Sequence, residues 1–222
     1  MKKNIGIIGN GFVGKAIVNG FALHANVSVY DKDPSKTIHT LSDVVNNSSY
    51  IFISVPTPME SVEGGNIDLS IIDSVFNDIS ACEKSDDFSY SDVLFVIKST
   101  VVPGTTKRYQ EKYPQMRIVF NPEFLTERSA NLDFINANRI VIGGSDLDCI
   151  ALSELYRDRF PYTKIIATDS ESSELIKYAC NCFFATKVSF MNEFRILSDK
   201  LGCNWDDVMN GFIDNITSRV FR

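Results

Sequence analysis

A chain of 222 residues is ample for one large domain or one and a half, and 44% apolar with 23% charged residues is the make-up of a folded protein, not a disordered one. A net charge of −6 argues against nucleic acid as a partner, because phosphate backbones demand a basic surface. No window is long and apolar enough to span a bilayer, so no membrane partner is expected either.

The first apolar run, residues 4–9, reads as a strand. Asn4, Asn10 and three glycines interrupt MKKNIGIIGNG too often for a signal peptide. GNGFVG follows at 9–14 and opens a predicted helix over 13–24. Its glycines fit GxGxxG: Gly9 for the tight turn, Gly11 for close approach of the backbone to a pyrophosphate, Gly14 for packing of helix on strand. With Phe12 and Val13 between them, they present free N–H groups and a helix dipole to an anion. A second strand, 27–31, ends on Asp31, about twenty residues further on, where an acid accepts both ribose hydroxyls. The same acid repels a 2′-phosphate, so NAD is expected over NADP. Lys32 and Lys36 stand close by, and Lys36 is counted with the cofactor set.

A third strand, 50–55, ends in VPTP, whose prolines stop it and leave Val55, Pro56 and Thr57 at its carboxyl end. The loop 56–68 is rich in Gly, Pro and Glu and long enough to suggest a functional role. A helix over 69–82 leads to a strand at 93–99, and KSTVVPGT at 98–105 places Ser99 and Thr100 at that strand's end before a helix over 105–113. The strand 116–120 runs into NPEFLTE, with Glu123 and Glu127 four residues apart as candidates for proton transfer. A strand at 139–143, a helix over 146–160 and a strand at 164–167 complete the series. Continuous apolar strands alternating with helices predict an α/β fold, a doubly wound parallel sheet of Rossmann type over residues 1–167. A structural turn would explain VPTP or KSTVVPGT alone. With NPEFLTE they form a row at the strand ends where such sheets bind ligands.

Beyond Thr168 the pattern changes. Residues 169–201 contain no Gly or Pro and predict one long helix, with Thr168 and Glu171 as a capping box and Gly202 as its C-cap. Residues 180–194 are apolar on nearly every face and call for cover on several sides, from a second domain or a partner subunit. A short helix follows from Asn204 and Asp207 to about 216, so 168–222 reads as a central-helix segment. Lys177 and Asn181, four apart, share a helix face. Asn181 is either a buried amide bonded to a neighbouring loop or, with Lys177, part of a pair aimed at a developing alkoxide. Cys82, Cys149, Cys180, Cys182 and Cys203 form no CxxC pair, and His24 and His39 lie far from them, so no metal is expected. Cys180 and Cys182 read as core residues, and thiols without a secretory signal point to a reducing cytoplasm.

GNGFVG, Asp31, VPTP, KSTVVPGT, NPEFLTE, RIVIGG, ELIKYACN and ATKVSFMNE together, in this order, resemble the UDP-glucose/GDP-mannose dehydrogenase family over nearly the whole chain. The resemblance implies a nucleotide sugar as substrate, UDP-glucose first, oxidised at its primary alcohol to the carboxylate in two NAD-dependent steps. It implies Thr100, Glu123, Glu127, Lys177 and Asn181 as active-site positions, with Phe124 and Leu125 lining the sugar site beside Glu123 and Lys177. A water held by Glu123, Thr100 and Asn181 would take the alcohol proton, while Glu127 orients cofactor and substrate. The long helix, 169–201, would form much of a homodimer interface.

Two departures accompany the match. Arg128 stands where the family usually has Gly, and the family's nucleophilic cysteine, in a motif resembling GFGGSCFPKD, would lie beyond Arg222 together with the nucleotide-sugar domain. The expectation is a portion that binds NAD without completing the oxidation alone. Two alternatives use the same residues: a two-electron β-hydroxyacid-type dehydrogenase built on Lys177 and Asn181, and a non-catalytic NAD-binding module that dimerises through the long helix.

Overall fold

The computed structural model describes residues 2–60 and 65–219, of which 213–219 as backbone. It divides into two compact units, Met1–Lys177 and Tyr178–Arg222.

The first unit is built on a seven-stranded sheet. In chain order its elements are β1 (Lys3–Ile8), α1 (Phe12–Phe21), β2 (Ala25–Tyr30), α2 (Leu41–Asn47), β3 (Tyr50–Ile53), α3 (Ser70–Ala81) and β4 (Leu94–Ile97). They continue through α4 (Thr105–Lys112), β5 (Arg117–Phe120), α5 (Ala130–Ile135), β6 (Arg139–Gly143), α6 (Asp146–Arg159) and β7 (Lys164–Thr168) to the start of α7 (Ser170–Leu201). The strand order is β2-β1-β3-β4-β5-β6-β7. The first five strands run parallel, but β6 meets β5 antiparallel, with Phe120 opposite Gly143, and β7 then runs parallel to β6. The all-parallel expectation therefore fails at this edge: a continuous apolar run is suited to a doubly covered position but carries no direction.

Every residue of β3 and β4 is buried. Their side chains alternate between the faces, and both faces are apolar. Phe52 and Val96 join Phe21 of α1, Phe134 of α5 and Tyr156 of α6 on one side. Ile51, Ile53 and Phe95 join Val44 of α2, Phe76 of α3 and Tyr109 of α4 on the other. Phe21 lies within about 6 Å of the rings of Phe52, Phe134, Tyr156 and Phe160, and each such fully buried ring contributes about 1.5–3 kcal/mol by area alone. These two layers hold the carboxyl ends of β1 to β5 as one rigid edge.

Two short helices, α2 and α5, are additions to the predicted elements. In the loop 56–68, Met59 and Ile67 form an antiparallel bridge; residues 61–64 of that predicted functional loop lie outside the described residues. The N-terminus of α7 is capped by Asp169, whose carboxylate accepts from the Ser172 N–H at 2.7 Å, and not by Thr168. Thr168 is still the last residue of β7, paired with Gly143, so Asp169 is the residue that precedes the helix.

In the second unit, α7 continues to Leu201 and turns at Gly202, whose φ of +67° makes it the C-cap, into α8 (Trp205–Arg219). Phe190 packs on Phe212, and the Arg195 guanidinium lies over Trp205. Along α7, Phe183, Phe184, Val188, Phe190 and Phe194 are each between 43% and 61% exposed. Among the described residues Cys182 and Asn181 are exposed and Cys180 half-buried, whereas the sequence suggested core positions for the two cysteines. Among the described residues no helix is long and apolar enough to cross a membrane, and no group of three or more His, Cys, Asp or Glu is placed to hold a metal.

Candidate active site

The connections leaving β1 and β3 diverge to opposite sides of the sheet, which opens a crevice at the carboxyl ends of the central strands. The cleft there has a volume of about 730 Å³. Gly9, Gly11, Phe12 and Val13 form one wall, and Asp31, Lys32 and Lys36 close the end beyond β2. Val55, Pro56 and Thr57 after β3, Lys98, Ser99 and Thr100 after β4, and Glu123 after β5 form the other end.

The glycine turn is shaped by contacts that exclude a side chain at two positions and leave the third open. Gly9 adopts φ +94°, and a Cβ on it would fall 2.6 Å from the Ser54 carbonyl oxygen. A Cβ on Gly14 would fall 2.0 Å from the Gly9 carbonyl oxygen. A Cβ on Gly11, the N-cap of α1, meets nothing within 4 Å, so the backbone there faces open space at a helix N-terminus. That is the shape a pyrophosphate requires. Asp31 is fixed by accepting from the backbone N–H of Asn10 at 2.6 Å and of Asp33 at 2.9 Å. Lys36 pairs with Asp33 at 3.1 Å, which directs its charge to that neighbour. The residues present fit a dinucleotide with its ribose at Asp31.

The other end is laced together across strands. Ser99 donates from its hydroxyl to the Val55 carbonyl at 2.6 Å, and Thr57 from its hydroxyl to the Thr100 carbonyl at 2.7 Å. VPTP and KST are therefore one stitched surface. Next to it, NPEFLTE leaves β5 without regular secondary structure, and one Glu123 carboxylate oxygen accepts from the Leu125 N–H at 2.6 Å. The other accepts from Lys177 Nζ at 2.8 Å, and the same Nζ donates to the Glu123 carbonyl at 2.5 Å. The pair is buried, with side chains 12% and 5% exposed. Phe124 has the Arg139 guanidinium 4.5 Å and the Lys177 ammonium 5.6 Å from its ring centroid, and Leu125 packs on the core.

Glu127 goes elsewhere. The hydroxyls of Thr126 and Ser129 and the Thr126 N–H all bind the Asp133 carboxylate, which turns the chain away from the cleft and leaves Glu127 exposed outside it. Arg128, in the same turn, keeps ordinary backbone angles, since only glycines have positive φ among the described residues. The structure thus brings Glu123 and Lys177 together and separates Glu127 from them. Asn181 is on the second unit and is exposed.

Three residues of the site escaped the sequence reading. Glu174, fully buried on α7, accepts from the N–H of Gly104 and Thr106 and from the Thr106 hydroxyl at 2.6–2.8 Å, locking the start of α7 to the N-terminus of α4. Burial raises its carboxyl pKa, and the three hydrogen bonds oppose that rise. Lys98 is 4% exposed and donates to Asn121 Oδ1 at 3.0 Å and to the Pro122 carbonyl at 3.3 Å. Asn121 Oδ1 also accepts from the Tyr156 hydroxyl at 2.5 Å, and its amide donates to the Val141 carbonyl. Burial pushes Lys98 down to about 7; Glu123 opposes the shift and Lys177 adds to it. Lys98 and Asn121 begin the very motifs that drew attention, but their partners lie on distant elements.

Residues 37–159 match the model of the UDP-glucose/GDP-mannose dehydrogenase family's NAD binding domain, and residues 171–219 that of the family's central domain. The chain is 32% identical over 248 residues to the UDP-glucose 6-dehydrogenase of Rickettsia conorii, covering 94% of this chain and 54% of that protein. The fold superposes on the GDP-mannose dehydrogenase of Pseudomonas aeruginosa with a TM-score of 0.82 and 25% identity, over 96% of this chain and 57% of that one. A UDP-glucose dehydrogenase from Pyrobaculum islandicum gives a TM-score of 0.79 and 26% identity, over 96% and 56%. The chain spans about half the length of these relatives. With one family model covering more than half of its residues and a second continuing through the long helix, this chain is a member of the UDP-glucose/GDP-mannose dehydrogenase family.

Proposed function

We propose that this chain supplies the NAD-binding and hydride-transfer part of a nucleotide-sugar dehydrogenase acting on UDP-glucose. The observation that carries the reading is the buried Glu123–Lys177 pair at the end of a cleft whose other end is a glycine turn and an acid. The N–H groups at the start of α1 would hold the pyrophosphate and Asp31 the adenosine ribose, with Thr57, Thr100 and Glu123 lining the other end of the cleft. NAD supplies the hydride acceptor. Glu123 holds a water that takes the proton of the sugar's C6 hydroxyl, with Thr100 orienting it. Lys177 stabilises the negative charge that develops on that oxygen. Glu127, exposed outside the cleft, does not receive the proton. Phe124 and Leu125 line the sugar side.

The apolar residues exposed along α7 support a homodimer through that helix, which sedimentation of the full chain tests. In this reading residues 1–167 form the cofactor domain, residues 168–222 the central helices, and the protein works in the cytoplasm. Single-turnover absorbance at 340 nm, with NAD and UDP-glucose and with β-hydroxyacids as the competing class, tests the reaction. Reduction with a β-hydroxyacid and none with the nucleotide sugar would replace this reading by the β-hydroxyacid one. Saturable NAD binding without reduction by either would favour a non-catalytic module.

A further inference from the structure

Lys98 is a buried amine that the proposed reaction does not use. Its side chain reaches from the end of β4 under the first residues of NPEFLTE, and both oxygens that it binds, Asn121 Oδ1 and the Pro122 carbonyl, are neutral. The groups facing it come from three elements: Glu123 after β5, Lys177 on α7, and the Tyr156 hydroxyl of α6, which shares Asn121 Oδ1. Glu123 is already engaged by Lys177. Lys98 is therefore the second cation beside a single carboxylate, and it also lines the cleft. A buried ammonium without its own counterion is readily displaced toward the neutral amine, consistent with a group that titrates near 7. A neutral amine still donates to Asn121 and Pro122, so the turn stays held when the proton leaves.

Across the strand order β2-β1-β3-β4, a dinucleotide with its ribose at Asp31 and its pyrophosphate at α1 extends toward the end of β4. Its nicotinamide end would then lie on the Lys98 side of the cleft. The oxidised ring carries a positive charge and the reduced ring does not. We propose that Lys98 is a positioning residue that holds the Asn121–Pro122 turn beneath Glu123 and gives up its proton when the oxidised, cationic dinucleotide enters the cleft. The proposal rests on the reading of the cleft as a NAD site. Its consequence is that the chain discriminates the redox state of the dinucleotide through pH: the proton goes to solvent on NAD⁺ binding and is retained on NADH binding.

Calorimetric titration of the full chain with NAD⁺ and with NADH, each in two buffers of different ionisation enthalpy, measures the protons exchanged. Near pH 7, NAD⁺ is expected to release about half a proton, since a group titrating near 7 is half protonated there, and NADH distinctly less. NAD⁺ affinity should rise about tenfold from roughly pH 6 to roughly pH 8, as the neutral fraction of such a group does. Lys98→Met should bind NAD⁺ with no release attributable to this site and a flat pH dependence. Lys98→Arg, which cannot deprotonate, should bind NAD⁺ several-fold more weakly at the higher pH without releasing a proton. Equal release with NAD⁺ and NADH, or undiminished release in Lys98→Met, overturns the role of Lys98 while leaving the cofactor reading standing. Failure of both dinucleotides to bind overturns both. Should Lys98→Met not fold, the contrast between NAD⁺ and NADH in the unaltered chain decides.

Discussion

Lys177 holds Glu123 at two points, its ammonium donating both to the carboxylate and to the same residue's backbone carbonyl. The carboxylate cannot rotate away without also giving up the bond it accepts from the Leu125 N–H. Removing the lysine strands a buried charge, a loss of about 3–5 kcal/mol for a pair this enclosed. Lys177→Met is therefore expected to lower the urea-unfolding free energy by about 3 kcal/mol. Adding Glu123→Gln should restore part of that loss, and strict additivity of the two changes would show that the residues act independently.

The glycine turn separates stability from binding. At Gly14 a methyl group collides with backbone, so Gly14→Ala should destabilise the fold and weaken NAD binding together. At Gly11 a methyl group collides with nothing, so Gly11→Ala should melt within a few degrees of the parent. Its NAD affinity should nonetheless fall at least about tenfold, because the added carbon occupies the pyrophosphate approach. A Gly11→Ala protein that melts normally and binds NAD normally would remove the cleft from consideration.

Asp31 is expected to set the choice of dinucleotide. Asp31→Asn keeps an acceptor for the Asn10 N–H and removes the charge. Hydrogen bonds to a charged group are worth about 1.5–3 kcal/mol, so the ratio of NADP to NAD dissociation constants should fall by about tenfold or more. Fluorescence titration with both dinucleotides reads it. An unchanged ratio would place the discrimination elsewhere.

The pH dependence of stability carries the sign of the buried amine. Lys98 drops from an ordinary 10.5 to about 7 on folding, so between these values the native state binds fewer protons than the unfolded chain. Stability contributed by this group therefore rises with pH across that window, by up to about 1.4 kcal/mol per unit, and is lost below about pH 7. Lys98→Met should gain on the parent most at low pH, with the advantage shrinking as pH rises from about 7 to about 10. A difference between the two proteins that does not change with pH would mean that Lys98 is an ordinary exposed lysine in solution.

The elements were legible where the signal was local. The strand Arg139–Gly143 coincides with its apolar run, whereas β3 and β4 end at Ile53 and Ile97, two residues short of the predicted ends at 55 and 99. The helix α2 is hard to read from sequence although Thr40 and Asp43 form a reciprocal capping box, because its seven residues carry too little periodicity to stand out. The reversed direction of β6 and β7 was invisible, since an apolar run reads the same both ways. In the candidate site, the glycines, Asp31, Ser99, Thr100 and Glu123 were legible by spacing and by position at strand ends, and Lys177 by its place on a predicted helix. Lys98 and Glu174 did not, because what makes them unusual is burial against Asn121, Pro122, Gly104 and Thr106, which long-range folding brings near. Glu127, four residues from Glu123 in sequence, is exposed, and the turn that carries it is bonded to the Asp133 carboxylate.

The most direct measurement is a crystal structure of the full chain grown with NAD. The pyrophosphate should lie against the backbone of Gly11, Phe12 and Val13, a ribose should bond to Asp31, and the nicotinamide should lie beside Thr100 and Glu123 with the Glu123–Lys177 pair intact. Dinucleotide bound outside this cleft, or a cleft that stays empty at saturating NAD, would contradict the assignment of these residues to a dehydrogenase site.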